Sequence, residues 1–226
     1  MNKYAIIVAG GNGSRMNMTF PKQFLKLGDL PILMHTLKLF SSYDKSLKLI
    51  LVLPEDQISY WKNLCHKYDF ITEHEIVCGG NTRFHSVKNG LGKINEEGIV
   101  FIHDGVRPLV SFKTIDNCYN TALTKGNALP VIRPSESVRE VINSDNRAVD
   151  RNKYFLVQTP QTFKVRLIKK AYNTEYSDKF TDDASVLENN GEKINLVNGN
   201  RENIKITYPE DIIIAEALIL NTIRRS

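Results

Sequence analysis

The chain has 226 residues, 30 Lys plus Arg against 25 Asp plus Glu, and 42% hydrophobic residues. That composition supports the buried core of a globular domain and excludes a disordered or fibrous chain. No stretch nears the ~20 apolar residues of a membrane span, and MNKYAIIVAGG lacks a secretory apolar region, so a cytoplasmic protein without a membrane partner is expected. The net charge of +5 is scattered rather than run together. This argues against nucleic acid as a partner and suits a small polyanion.

The elements follow in chain order. Ala5-Ile6-Ile7-Val8 is a continuous apolar run ending in glycines, the pattern of a buried parallel strand. Pro31 opens a helix with Leu33, Leu37 and Phe40 at helical spacing. Leu47 to Leu53 reads as a strand ended by Pro54, and a helix covers Glu55 to Lys67. Glu75 to Cys78 is a short strand running into Gly79-Gly80, followed by a helix with Val87, Leu91 and Ile94 on one face. Ile99 to Ile102 is a further buried strand, ending at His103-Asp104.

From Arg133 to Leu156 the pattern changes to a hairpin. Ser137 to Val141 and Arg147 to Asp150 alternate as strands, joined by Asn143 to Asn146. Two strands alone are marginal in water, so this arm needs something to lie against, and a second subunit is the natural candidate. Helices are then expected near Lys164 to Tyr172, after Thr181 and from Pro209, with a strand at Ile194 to Val197. The reading is one α/β domain over residues 1–226: a doubly wound, mostly parallel, Rossmann-like sheet with a projecting β-hairpin arm at 133–156.

Ligands of such sheets bind beyond the carboxyl ends of the strands. The first strand ends in Ala9-Gly10-Gly11-Asn12-Gly13-Ser14-Arg15, followed by Pro21-Lys22. Glycines let backbone N–H groups approach phosphate oxygens, while Arg15 and Lys22 add positive charge. The stretch lacks the Gly-Lys-Ser/Thr of one common phosphate loop and the third glycine of the dinucleotide fingerprint. A second glycine loop, Gly79 to Ser86, could read a base or ribose, or be a turn with an N-cap. Asp104, at the tip of an apolar strand, is a candidate Mg²⁺ ligand, with a turn cap as the bland alternative. His103 reads as a packing or hydrogen-bonding residue. Thr181 could be an N-cap, and Lys205 either snorkels to solvent or faces an anion.

Cys65, Cys78 and Cys118 are odd in number and widely spaced, so three reduced thiols are expected. No nucleophile–base pair stands out. The chemistry implied is positioning and charge neutralisation, as in phosphoryl and nucleotidyl transfer.

Six motifs in order carry a resemblance over Ala9 to Asp211. They are A-G-G-x-G-x-R-M…P-K-Q-F, G-G-x-x-R-x-x-S-V-x-x-G-L, H-D-x-x-R-P, V-D-R-N…Q-T-P-Q-x-F, T-D-D-A-S and N-I-K-I-T-x-P-E-D. Together they resemble the 2-C-methyl-D-erythritol 4-phosphate cytidylyltransferases. The resemblance implies transfer of the cytidylyl group of CTP to methylerythritol phosphate with Mg²⁺, releasing pyrophosphate, in a homodimer of the non-mevalonate isoprenoid pathway. It implies that Arg15 and Lys22 stabilise charge on the α-phosphate, and that Ala9, Gly10, Gly11, Gly13, Gly80, Asn81 and Ser86 hold the nucleotide. Asp104 would contact metal and substrate. Arg151 and Lys205 would position the acceptor, with lesser contacts from Arg107, Ser137, Thr181 and Thr207. The arm would place Ser137 and Arg151 near the partner subunit's site. Ribitol 5-phosphate cytidylyltransferases, the alternative for a polyol phosphate acceptor, share the first loop and Gln-Thr-Pro-Gln. They usually lack the run from Arg83 to Leu91 and the V-D-R at Val149 to Arg151, which favours methylerythritol phosphate.

Overall fold

The computed structural model describes residues 1–10 and 20–223. Its centre is strand β1 (Asn2–Val8), which pairs in parallel with β6 (Gly98–Asp104) on one side and β4 (Lys48–Leu53) on the other. β5 (Glu75–Cys78) continues the parallel order beyond β4. These strands are apolar because both their faces are covered, and their side chains alternate between two cores. Ala5 and Ile7 join Leu49, Leu51 and Phe101 on one face, under helices α1 (Ile32–Tyr43), α2 (Glu55–Lys67) and α4 (Phe112–Lys125). Tyr4 and Ile6 join Ile50, Val52, Val100 and Ile102 on the other, under α3 (Arg83–Leu91) and α5 (Val165–Ala171). On the first face α1 carries the expected stripe, with Leu33, Leu37 and Phe40 fully buried, and Trp61 on α2 is fully buried as well.

With β7 (Asn127–Ile132), β10 (Leu156–Val157) and β11 (Gln161–Lys164), the sheet order is β10-β7-β11-β6-β1-β4-β5, and β12 (Leu196–Asn198) pairs with β7. The chain leaves β1 towards β4 and later returns on the other side as β6. The switch in direction therefore lies between the ends of β1 and β6, where Val8 is opposite Asp104. Crevices form at such switch points.

Two strands depart from the parallel order: the edge strand β10, antiparallel to β7, and the strand that follows it in the chain. β11 is antiparallel to both β6 and β7. It starts where the arm delivers the chain, at the carboxyl end of β6, and so can only run back down. Its four residues after Pro160 are too short to announce themselves as a strand. The consequence is functional: Thr159, just before it, lies beside Asp104. α4 ends at Gly126, whose φ of 94° is the left-handed cap conformation that glycine adopts without a Cβ penalty.

The arm is a separate two-stranded sheet, β8 (Arg139–Ile142) and β9 (Asp145–Ala148). Its turn is tighter than the four residues expected. Ile142 pairs with Asp145, leaving Asn143-Ser144 as a two-residue connection. Asn143 takes φ 54°, which asparagine tolerates better than most residues and which matches the twist of a hairpin. The last two elements are α6 (Asp183–Asn189) and α7 (Pro209–Ile223). Among the described residues no helix is long and apolar enough to cross a membrane. All three cysteines are free, as expected.

Candidate active site

The ends of β1, β5 and β6 surround a cavity of about 300 Å³. Ala9 and Gly10 enter from β1, Gly80 and Asn81 from β5, and Asp104 and Val106 from β6. Lys22, Arg83, Ser86 and Lys205 complete the wall that matters for charge and hydrogen bonding. Of the residues expected at the site, Ala9, Gly10, Lys22, Gly80, Asn81, Ser86, Asp104 and Lys205 are thus brought together. Gly11, Gly13 and Arg15 lie outside the described residues.

The nucleotide-loop side is held by short local bonds. The Ser86 hydroxyl accepts the Gly80 N–H at 3.1 Å, closing the loop over the start of α3. Thr82 caps that helix. A Cβ on Gly80 would lie 2.4 Å from the His85 Cβ, so only glycine fits this approach.

The opposite wall is electrostatic. Asp104 is 8% exposed, and three cations converge on it. Lys205 Nζ lies 3.0 Å and Arg107 Nε 3.2 Å from Oδ2, and Arg83 Nε lies 3.8 Å from Oδ1. Burial alone would resist ionisation of Asp104. Lys205, Arg83 and Arg107 outweigh it and hold the carboxyl well below the usual range. Arg83 is also gripped from behind. Its two terminal nitrogens donate to both oxygens of the fully buried Asp183, at 2.8 and 2.7 Å, and Tyr172 donates to the same carboxylate at 2.6 Å. Burial disfavours the Arg83 charge, but Asp183 reverses the effect and raises its pKa.

The backbone under Asp104 is fixed by a chain of hydrogen bonds with an unambiguous direction. The Arg107 carbonyl can only accept, so His103 donates to it from Nε2 at 2.9 Å. Nδ1 is then the acceptor of the Thr159 hydroxyl at 3.0 Å. The same Thr159 oxygen accepts the Asp104 N–H at 3.1 Å. Burial pushes the His103 pKa down to about 4, which keeps this neutral tautomer. His103 is therefore a hydrogen-bonding core residue, as its sequence context implied.

Arg107 and Thr207 stand just behind the wall. Arg107 also donates to the Asn203 carbonyl at 2.7 Å, and Thr207 donates to the Lys205 carbonyl at 3.0 Å. Ser137, Arg151 and Thr181 do not line the cavity. Ser137 and Arg151 are exposed on and beside the arm, with Arg151 donating to the Ser135 carbonyl at 2.7 Å. The N-cap of α6 is Asp182, in a reciprocal capping box with Ser185, so the alternative cap role for Thr181 is not realised.

Sequence reasoning did not single out Arg83, Asp183 or Thr159. Arg83 and Asp183 stood inside quoted motifs, but the 100-residue separation of the pair gives no local signal. Thr159 sits in the loop just before a strand too short to read. Among the described residues there is no group of three or more His, Cys, Asp and Glu side chains that could hold a metal. A divalent ion here would take one protein carboxylate, Asp104, and draw its other oxygens from bound phosphates. Mg²⁺ accepts that arrangement, so the residues fit an ion that arrives with a substrate.

Comparison with known proteins agrees with this architecture. A family model described as 2-C-methyl-D-erythritol 4-phosphate cytidylyltransferase matches residues 4–221. The protein of that name from Phocaeicola vulgatus is 54% identical over 219 residues, spanning 97% of this chain and 100% of the relative. The one from Bacteroides thetaiotaomicron is 49% identical with the same coverage. The crystal structure of 4-diphosphocytidyl-2C-methyl-D-erythritol synthase from Anaerococcus prevotii superposes with a TM-score of 0.80 at 30% identity, covering 97% of this chain and 98% of that one. The chain belongs to the 2-C-methyl-D-erythritol 4-phosphate cytidylyltransferase family.

Proposed function

We propose that the strand-end cavity is where this enzyme transfers the cytidylyl group of CTP to 2-C-methyl-D-erythritol 4-phosphate. The products are 4-diphosphocytidyl-2-C-methyl-D-erythritol and pyrophosphate. An oxygen of the acceptor phosphate forms a bond to the α-phosphorus of CTP as the α–β phosphoanhydride bond breaks in line, and the electron pair leaves with pyrophosphate. The observation that carries this reading is the meeting of Lys22, two backbone glycine loops and the Asp104–Lys205 pair in one cavity.

Lys22 is 7% exposed and acts with Arg15 on the charge that grows at the α-phosphate. Ala9, Gly10, Gly11, Gly13, Gly80 and Asn81 offer backbone groups to the nucleotide, and Ser86 keeps the second loop closed over it. On the acceptor side, Lys205 exchanges Asp104 for the acceptor phosphate, with Arg107 and Thr207 fixing the loops beneath. Mg²⁺, held by Asp104 and the phosphates, would neutralise the departing pyrophosphate.

The arm supplies the remaining acceptor contacts to a second copy of the chain. Val141 is 71% and Ile142 50% exposed, and Leu156 and Val157 lie exposed on the edge strand β10 (Leu156–Val157). An apolar hairpin and an open edge call for a partner. A homodimer covers both, and brings Ser137, Arg151 and Thr181 towards one acceptor. The protein works in the cytoplasm, where its charged substrates reside.

The test is pyrophosphate release measured with each nucleoside triphosphate against a panel of polyol phosphates. Turnover with CTP and methylerythritol phosphate alone is expected, with dependence on added Mg²⁺. Equal or better turnover with ribitol 5-phosphate would overturn the acceptor assignment.

A further inference from the structure

The motif Pro21-Lys22-Gln23-Phe24 puts a glutamine beside the proposed catalytic lysine, and the reaction assigns Gln23 no role. Its side chain is 1% exposed. Burying an amide at that depth calls for partners, and Gln23 has them on two other elements. Nε2 donates to the carbonyl of Ala9 at 2.9 Å and to Oε1 of Gln57 at 2.6 Å. The Ala9 carbonyl can only accept, so the nitrogen must face it, and this fixes which end of the amide is which. Both Nε2 protons are then used. Gln57, 8% exposed on the first turn of α2, must offer its oxygen.

These bonds join three pieces of the wall. Ala9 closes β1, and its N–H donates to the Val52 carbonyl at 3.0 Å, so Ala9 is held on both sides. Lys22 and Gln23 share one turn of 3-10 helix, so fixing Gln23 fixes the backbone that carries Lys22. Gln57 braces the amide from α2, a helix whose residues do not line the cavity.

We infer that Gln57 is a positioning residue for nucleotidyl transfer: through the Gln23 amide it holds the backbone of Lys22 in register with Ala9 at the nucleotide loop. Removing the Gln57 oxygen leaves a buried Gln23 proton without an acceptor and lets the amide turn away from Ala9. The distance between the lysine and the nucleotide loop is then no longer set. Misplacement of a catalytic group by about 1 Å can cost about a hundredfold in rate, so a loss of ten- to a hundredfold (roughly) in kcat is expected for Gln57→Leu. Gln57→Glu keeps an acceptor at the same reach and should stay within about threefold of the natural chain.

The inference rests on Lys22 acting at the α-phosphate, so Lys22→Ala is measured alongside. kcat and both KM values are read from pyrophosphate release with CTP and methylerythritol phosphate, and folding from the thermal midpoint. The side-chain amide signals of Gln23 are followed by NMR. Loss of kcat in Gln57→Leu with an unchanged acceptor KM, recovery in Gln57→Glu, and loss of the protected Gln23 amide signal support the inference. Gln57→Met, of closer shape, serves if the leucine variant does not fold, with the same expectation. Normal kcat in Gln57→Leu or Gln57→Met while Lys22→Ala is crippled overturns the inference alone. Normal kcat in Lys22→Ala overturns the reading beneath it. Loss in Gln57→Glu equal to that in Gln57→Leu also overturns the inference.

Discussion

In the strand-end pocket Asp104 meets three cations within 3.8 Å, and Arg83 is closed from behind by a carboxylate with no exposure. On the arm, Arg147 and Glu140 also pair, at 2.6 Å, but with side chains 70% and 40% exposed. The two regions use charge pairs of similar length in opposite settings. The buried pairs cannot fall back on water, so removing one partner strands the other. The arm pair can, and is worth ~1 kcal/mol or less. The described charged wall of the pocket is thus held by bonds within one chain. The arm carries exposed apolar residues and surface cations that gain a purpose only against another molecule.

The largest effect is expected in the pocket. Lys22→Ala should lower kcat by about 10²- to 10³-fold, the scale for removing one stabiliser of developing charge. KM for CTP should move far less, because the lysine matters most in the transition state. Steady-state kinetics checks this, and a variant with near-normal kcat would remove Lys22 from the chemistry.

Next comes stability, where the two settings can be set side by side. Asp183→Ala leaves Arg83 without its bidentate partner and Tyr172 without its acceptor. A loss of about 3 kcal/mol or more is expected, read from urea unfolding. Glu140→Ala on the arm should change stability by less than about 1 kcal/mol. Similar losses in both would erase the distinction between the regions.

The arm is tested through assembly. Val141→Asp combined with Ile142→Asp should shift the protein from dimer towards monomer in sedimentation, without unfolding the sheet. Arg151→Ala should raise the acceptor KM by about tenfold, one lost charged contact, and leave the CTP KM unchanged. A protein that sediments as a monomer before any substitution would break this half of the comparison.

The two regions also differ in how legible they were. The parallel strands were readable because burial on both faces makes them continuous apolar runs, and Asp104 stands where one of those runs stops. The hairpin was readable from alternation, although its turn closed two residues tighter on the side of the second strand, where Asn143 accepts a positive φ. What escaped was long-range. Arg83 finds Asp183 a hundred positions away, and Thr159 reaches Asp104 only because β11 runs antiparallel. Local periodicity carries no record of such pairings. In the proposed dimer the placement of Ser137 and Arg151 would depend on a second chain, which one sequence read alone cannot orient.

The smallest effect concerns acid stability and separates the two regions once more. His103 is fully buried, and burial lowers its pKa to about 4, against about 6.5 when unfolded. Between these values the unfolded chain binds a proton that the folded chain refuses. The stability from His103 is therefore fully present above pH 6.5 and is lost as pH falls towards 4. His35 and His74 are lowered by burial too and act with the same sign. The Asp44 carboxyl, held at about 2 by Lys3 and Ser46, adds stability that is intact at pH 5.5 and is lost only below about pH 4. Moving from pH 7 to 5.5 should thus cost about 1 kcal/mol through His103. His103→Gln, which has no charge to gain, should flatten that part of the curve, while substitutions on the arm should leave its slope alone. An unchanged slope in His103→Gln would mean that His103 takes up its proton in the folded chain as readily as in the unfolded one. The neutral link from Arg107 through His103 to Thr159 would then not be what holds the Asp104 turn.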